Sequence, residues 1–281
     1  MTVTITPLVP ADFNEAGSLL DLAFGGTGQA ETLRRFYPTQ SKYYTCARRD
    51  GRIVGVVGAS NFGNFAYVGQ MGVHPDVQQG GIGSALMTHV IGLLEADGCK
   101  IQLLDATAKG EYLYRKLGFV EDSRAQRWDR LEHIPARDPI PHGVRLIQPA
   151  DVPMIEALDE RLFGAPRSRL VARLLDLNPA RAFVSEDAGR LTGYAVAQGW
   201  MVGPWLAESA TDADALLRAA LTLEYDEPPR VVCNTDNAQV RSIIERYGFT
   251  QSRDIAHMRR GGAAEPRSLQ NLYGQASFGT S

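Results

Sequence analysis

The chain has 281 residues, 44% of them hydrophobic and 22% charged, and its 29 basic and 32 acidic side chains leave a net charge of −3. This is ordinary globular composition with room for two domains of roughly 100–200 residues, and the charge gives no sign of a nucleic-acid or anionic-membrane surface, so any anion binding must be carried by local sites. Cys46, Cys99 and Cys233 are odd in number, far apart and without metal-ligand spacing, so they read as core residues rather than as a disulfide framework or a zinc site. With no signal-like segment and no bilayer-length apolar run, a reducing cytoplasm is expected. Four lysines in an Arg-, Ala- and Gly-rich background suggest a GC-rich bacterial source.

In chain order, Thr2 to Leu8 reads as an edge strand, and Pro10-Ala11-Asp12 opens a helix through Leu19, Leu20 and Leu22 to Phe24-Gly25. A second helix holds Leu33 and Phe36. Tyr43 to Arg48 and Ile53 to Ala59 are strands joined through Arg49-Asp50-Gly51, a hairpin signal. A strand from Tyr67 to Val73 then runs through Gln78-Gln79-Gly80-Gly81-Ile82-Gly83-Ser84 into a helix on which Leu86, Val90, Ile91 and Leu94 recur at helical period. Next come the apolar strand Ile101 to Asp105, a helix with Tyr112, Leu113, Tyr114 and Leu117 that stops at Gly118-Phe119, and a last strand near Ala125 to Leu131. The fold class is α/β, a mixed sheet with its antiparallel strands first.

A glycine-rich turn at a helix start lets the backbone approach a ligand. The uncommitted first-turn N–H groups and the helix dipole there attract an anion. The natural guest is a phosphate or pyrophosphate. The spacing fits neither the dinucleotide Gly-x-Gly-x-x-Gly fingerprint nor the Gly-Lys-Ser/Thr of a phosphate-binding Walker loop.

What is present, Gln78-x-x-Gly81-x-Gly83, resembles the pyrophosphate loop of the GNAT superfamily of acyl-CoA N-acyltransferases. The second half of that family's cofactor site reads Asn-x-x-Ala-x-x-Leu-Tyr-x-x-x-Gly-Phe. Here Leu113-Tyr114 and Gly118-Phe119 match, while Thr107 and Gly110 replace Asn and Ala. The resemblance implies acetyl transfer from the cosubstrate acetyl-CoA to a primary amine by direct attack in a ternary complex. It implies a cofactor site made of Met71, Gly72, Val73, Gln78, Gln79, Gly80, Gly81, Ile82, Gly83, Ser84, Thr107 and Tyr114. Backbone N–H groups of Met71 to Val73 are expected to hold the acyl oxygen, the loop amides the pyrophosphate, and Gln78 to order the loop.

Tyr114 lies four residues before Gly118, where the family places a tyrosine beside the thioester sulfur, so the resemblance implies it as the acid; a thiol of pKa about 8.5 needs only modest help. The base stays open. Asp105, at the end of its strand, could take a proton or cap the next helix, and His74 could be a base or part of a plain turn. Arg34-Arg35, Arg48-Arg49 and Arg259-Arg260 read as solvated faces, although one pair could meet the 3′-phosphate of CoA. Phe36, Tyr37, Tyr43 and Tyr44 read as core and edge-strand packing, although they could line an acceptor pocket, and Trp200 and Trp205 read as packing. A small-molecule amine is the expected acceptor, with no nucleic acid or membrane partner and the oligomeric state open. A protein lysine or N-terminal amine, or a non-catalytic acyl-CoA-binding regulatory module, is the rival reading.

Residues 132–143 contain Pro135, Pro139 and Pro141 and read as a linker. Beyond it the sequence repeats. Pro10-Ala11-Asp12 returns as Pro149-Ala150-Asp151, Phe24-Gly25 as Phe163-Gly164, Val68-Gly69 as Val202-Gly203 and Gly118-Phe119 as Gly248-Phe249. The expected organisation is therefore two tandem GNAT-like domains, a catalytic one over 1–131 and a non-catalytic one over 144–260, with a tail over 261–281 that is docked or disordered. Carrying the repeat offsets across sets Asp212 opposite Gln78, Asp214 opposite Gly80 and Ile244 opposite Tyr114, while Asn237 keeps the polar position of Thr107. One cofactor site per chain, in the first copy, follows.

Overall fold

A computed structural model describes residues 3–136 and 139–279; the expected strand start at Thr2, linker residues 137–138 and tail residues 280–281 lie outside them. The first copy of the sequence forms β1 (Thr4–Pro7), α1 (Phe13–Phe24), α2 (Gln29–Phe36), β2 (Thr45–Arg49), β3 (Arg52–Asn61), β4 (Ala66–Val73), α3 (Ile82–Ala96), β5 (Gln102–Ala106), α4 (Ala108–Lys116) and β6 (Val120–Arg130). The second forms β7 (Val144–Leu146), α5 (Val152–Phe163), α6 (Ser168–Leu177), β8 (Ala182–Asp187), β9 (Arg190–Gln198), β10 (Met201–Ala207), α7 (Ala210–Ala220), β11 (Arg230–Asn234), α8 (Ala238–Arg246) and β12 (Phe249–Arg260). The order of elements is the same twice over. A short β13 (Leu272–Gly274) follows in the tail.

Local chemistry explains the boundaries. Gly25 ends α1 at φ 71° with its N–H on the Asp21 carbonyl, a left-handed cap that favours glycine. Asp50 and Gly51, both at positive φ, make the tight turn between β2 and β3. Leu8, Phe13, Leu19, Leu20, Leu33, Tyr44, Cys46 and Val56 form one core. Trp205, Leu216, Leu217, Val231, Cys233, Ile244 and Phe249 form another. Cys99 is also buried. Of the expected α1 stripe, Leu22 departs by pointing outward, 60% exposed.

The described residues divide into two compact units. Unit 1 holds residues up to Glu121 together with Met258–Glu265; unit 2 holds Asp122–His257 and Pro266–Gly279. The repeat in the sequence and the compact units thus part company at the final strands. Residues 122–130 of β6 belong to unit 2, where they pair antiparallel with β11, as Val231 opposite Trp128 and Cys233 opposite Gln126. The end of β12 belongs to unit 1 and lies beside β5. β6 thus lies mostly in unit 2, and of β12 only Met258–Arg260 lies in unit 1. β6 and β12 occupy equivalent places in the repeat, so nothing in their pattern says which β5-type strand each will join.

In unit 1 the order is β1-β2-β3-β4-β5, antiparallel up to β4 and parallel between β4 and β5. In unit 2 it runs β6-β11-β10-β9-β8-β7, with β13 on β10. The tail is docked there. No helix among the described residues is long and apolar enough to cross a membrane.

Candidate active site

The site begins where β4 and β5 part. Their parallel pairing consists of Ala66 opposite Gln102 and Tyr67 opposite Leu103, while β4 continues to Val73 and β5 to Ala106. On its other edge β4 stays paired with β3, with a register shift between Val56 and Gly58. The shift coincides with Gln70, a non-glycine residue at φ 50°. This is a bulge, and bulges bend a strand and re-aim its groups. The His74 N–H donates to Val54 O (3.0 Å), so by strand alternation the Val73 and Met71 N–H groups face the edge that β5 has left.

Gly72 behaves differently from its neighbours. Its amide faces β3 by the same alternation, and a Cβ built on it would lie 2.7 Å from Leu20 Cδ2. It is a packing glycine under α1, and the donor pair of the expected Met71-to-Val73 set narrows to Met71 and Val73.

Eight residues, 74–81, link β4 to α3. Gly81 is the N-cap at φ 76° and supplies no side-chain cap, and a Cβ there would meet nothing within 4 Å. The first bond of the helix is Ala85 N–H to Gly81 O (3.0 Å), so the N–H groups of Ile82, Gly83 and Ser84 have no acceptor within it. Gln79 and Gly80 are exposed in the loop, and Gln79 adopts φ 68°. The Gln78 side-chain amide donates to Val73 O (3.1 Å), tying the loop back to the strand. Ile82 is 3% exposed, so its side chain belongs to the core and only its backbone can serve a ligand. Gly83 faces inward: a Cβ would lie 3.0 Å from Met71 Cε, 3.2 Å from Leu113 Cδ2 and 3.7 Å from Val73 Cγ2. That contact brings β4, α3 and α4 together at the mouth of the opening.

Tyr114 is buried on α4, edge-on to Phe119 at 5.9 Å. A Cβ on Gly110 would lie 2.7 Å from Tyr114 Cε2, so the glycine that replaces the family's alanine makes room for this ring. Burial pushes the phenol up to about 12, which keeps it protonated and able to donate. Thr107 precedes α4 as an exposed N-cap whose hydroxyl makes no capping bond. Asp105 is half-buried near the end of β5. The His74 Nδ1 accepts from the Asp76 N–H (3.3 Å), the plain-turn arrangement. Tyr112 is 71% exposed and stacks with Lys116 at 4.3 Å, so it is not a core residue.

Two of the arginine pairs are not solvated faces. Arg48 binds Asp12 at 2.7 Å, and Arg260 reaches Glu95, Gln102 and Leu117 O. Gln70 escaped notice in the sequence altogether. It is buried, and its side-chain carbonyl oxygen accepts no hydrogen bond among the described residues. No pattern marks a glutamine as the left-handed residue of a bulge.

Unit 2 closes both halves of the equivalent site. Only Glu208 and Ser209 separate β10 from α7, so Asp212 and Asp214 lie within the helix and not, as the repeat offset suggests, opposite Gln78 and Gly80 of a loop. Ser209 Oγ accepts from the Asp212 N–H (3.1 Å) and donates to the Asp212 carboxylate (2.6 Å), which satisfies the helix start internally. β10 and β11 pair only at Met201 opposite Arg230 and then diverge, as β4 and β5 do. The tail fills the divergence. β13 pairs with β10, Gln275 N–H donates to Val232 O of β11 (2.7 Å), and Asn237 Nδ2 donates to Gln270 O (3.2 Å) and Leu272 O (3.1 Å). The residue at the family's asparagine position thus holds peptide backbone.

Comparison with known proteins agrees with this geometry. Residues 13–119 match the model of the acetyltransferase (GNAT) family and residues 155–274 that of an acetyltransferase (GNAT) domain. No curated protein matches the sequence. Among solved structures, a candidate acetyltransferase from Pyrococcus horikoshii is similar at TM-score 0.87 and 21% identity, over 99% of this chain and 96% of that one. A GCN5-related N-acetyltransferase from Sphaerobacter thermophilus is similar at 0.66 and 16%, over 94% and 98%. A tandem GNAT protein from the clavulanic acid biosynthesis pathway is similar at 0.62 and 16%, over 93% and 100%. With a GNAT model on each copy, the chain belongs to the GNAT acetyltransferases as a tandem, two-domain member.

Proposed function

We propose that unit 1 binds acetyl-CoA and transfers its acetyl group to the primary amine of a small molecule, which attacks directly while both are bound. The observation that carries this reading is the opening between β4 and β5, with an uncapped α3 start at its mouth and the buried Tyr114 on the adjoining helix. The residues fit the cofactor. Gly81 leaves open space where a side chain would stand, and the amides from Ile82 to Ser84 lack helical acceptors. Acetyl-CoA supplies an activated thioester when bound.

The chain's own groups would then divide the work. Met71 and Val73 N–H polarise the acyl oxygen, as preorganised backbone donors do at a developing oxyanion. Gln78 holds the loop in register; Tyr114 donates its proton to the leaving sulfur as the carbon–sulfur bond breaks, the attacking nitrogen releases one proton to solvent, and solvent reprotonates the phenol. The small-molecule acceptor rests on unit 2, which lacks an open cofactor cleft and serves as an accessory lobe. Release of free thiol from acetyl-CoA across polyamines, amino acids, aminoglycosides and peptides tests the reading. Turnover with a small amine supports it; turnover confined to peptides moves the acceptor to protein, and thiol release with none contradicts it.

A further inference from the structure

Arg49 ends β2 with a guanidinium for which the protein provides no anion. Its neighbour Arg48 is paired with Asp12 (2.7 Å) and bonded to Thr6 (3.3 Å). The Arg49 side chain has no ion pair or hydrogen bond among the described residues, and its Nε is shut off from solvent without an acceptor. Buried polar groups are nearly always satisfied, so a cation left in this state invites the question of what completes it.

Its position supplies an answer. Arg49 pairs with Arg52 at the β2–β3 turn, and Gly55 of β3 pairs with Val73. The turn therefore stands beside the end of β4, where the glycine loop departs. A Cβ built on Gly80 would lie 4.0 Å from Arg49 Nη2. Such a gap beside an exposed loop residue is within reach of a ligand oxygen after a small side-chain movement.

We propose that Arg49 contacts the diphosphate of the cofactor held by this loop. The assignment rests on the reading that unit 1 binds acetyl-CoA. The loop offers neutral N–H groups and a helix start whose dipole is worth about half a charge. Against an ionised diphosphate, a guanidinium adds a full charge and planar, paired donors. The ligand in turn supplies the anion that Arg49 lacks.

The test uses the full chain and titration calorimetry with CoA and with dephospho-CoA, which keeps the diphosphate and lacks the 3′-phosphate. Arg49→Met retains the aliphatic stem and removes the charge. Both ligands should bind about 10- to 100-fold more weakly, the loss of one charge-assisted hydrogen bond, while the unliganded melting temperature is unchanged. Arg49→Lys should recover part of the affinity. Unchanged affinity in Arg49→Met overturns the assignment. So does a loss confined to CoA, which would move the contact to the 3′-phosphate, or a loss accompanied by lowered melting, which would make the residue structural. If the wild-type protein binds neither ligand, the cofactor reading fails and this assignment with it.

Discussion

At the scale of the residue, Tyr114 carries the chemical part of the account. Its ring is fixed by Phe119 and by the space Gly110 leaves, so removing the hydroxyl should change reactivity and little else. Tyr114→Phe is expected to lower kcat roughly ten- to a thousandfold with acetyl-CoA affinity nearly unchanged, within reach of a general acid's contribution. Steady-state kinetics beside calorimetry checks this, and an unaltered kcat contradicts the role. The phenol also sets a pH expectation. Burial raises it to about 12, so it remains protonated through about pH 10, where a free tyrosine is half ionised. The rate should climb as the acceptor amine loses its proton and show no fall near pH 9–10 that Tyr114→Phe abolishes. A wild-type alkaline limb in that range, absent from the variant, would mean that the phenol ionises where its surroundings are supposed to prevent it.

At the scale of the element, the parting of parallel strands occurs twice, and in unit 2 the chain's own tail occupies it. Asn237, Gln275 and the Trp205–Tyr273 ring contact at 5.3 Å hold the tail in place. A Cβ on Gly203 would stand 2.0 Å from the Gln275 carbonyl oxygen. Gly203→Ala should therefore lift the tail, lower stability by about 1–3 kcal/mol as overpacking does, and raise hydrogen exchange at Leu272–Gln275. Exchange equal to that of the wild type would show that the tail is not seated against β10. The hairpin at Asp50-Gly51 and the glycine loop were legible because each depends on residues close in sequence, at positions with distinct backbone needs, and the repeat because such local signatures recur in the same order. The placing of β6 in unit 2 and the docking of β13 were not, since both depend on which of two similar edges a strand meets. The offset placed Asp212 in a loop because sequence spacing alone does not show that the β10–α7 link has shrunk to two residues.

At the scale of the whole molecule, the central claim is that a fold present twice binds its cofactor once. Unit 1 keeps an open edge on β4 and an uncapped helix start, whereas unit 2 has peptide in the equivalent opening and Ser209 and Asp212 on the equivalent helix. Gly83, packed against Met71 and Leu113, is a poor place to test this, because a larger side chain there disturbs the walls as well as the ligand. Gly80 is exposed, and a Cβ on it would meet only Val77 O at 3.4 Å and Arg49 Nη2 at 4.0 Å, so Gly80→Asp adds a carboxylate with little steric cost. Like charges at close range in a partly desolvated turn oppose each other by on the order of kilocalories. The most direct measurement is the stoichiometry of CoA binding to the full chain by titration calorimetry, repeated on Gly80→Asp. The account predicts one site per chain in the wild type, weakened at least tenfold in the variant while melting is unaltered. Two sites per chain, or a single site indifferent to Gly80→Asp, would contradict it.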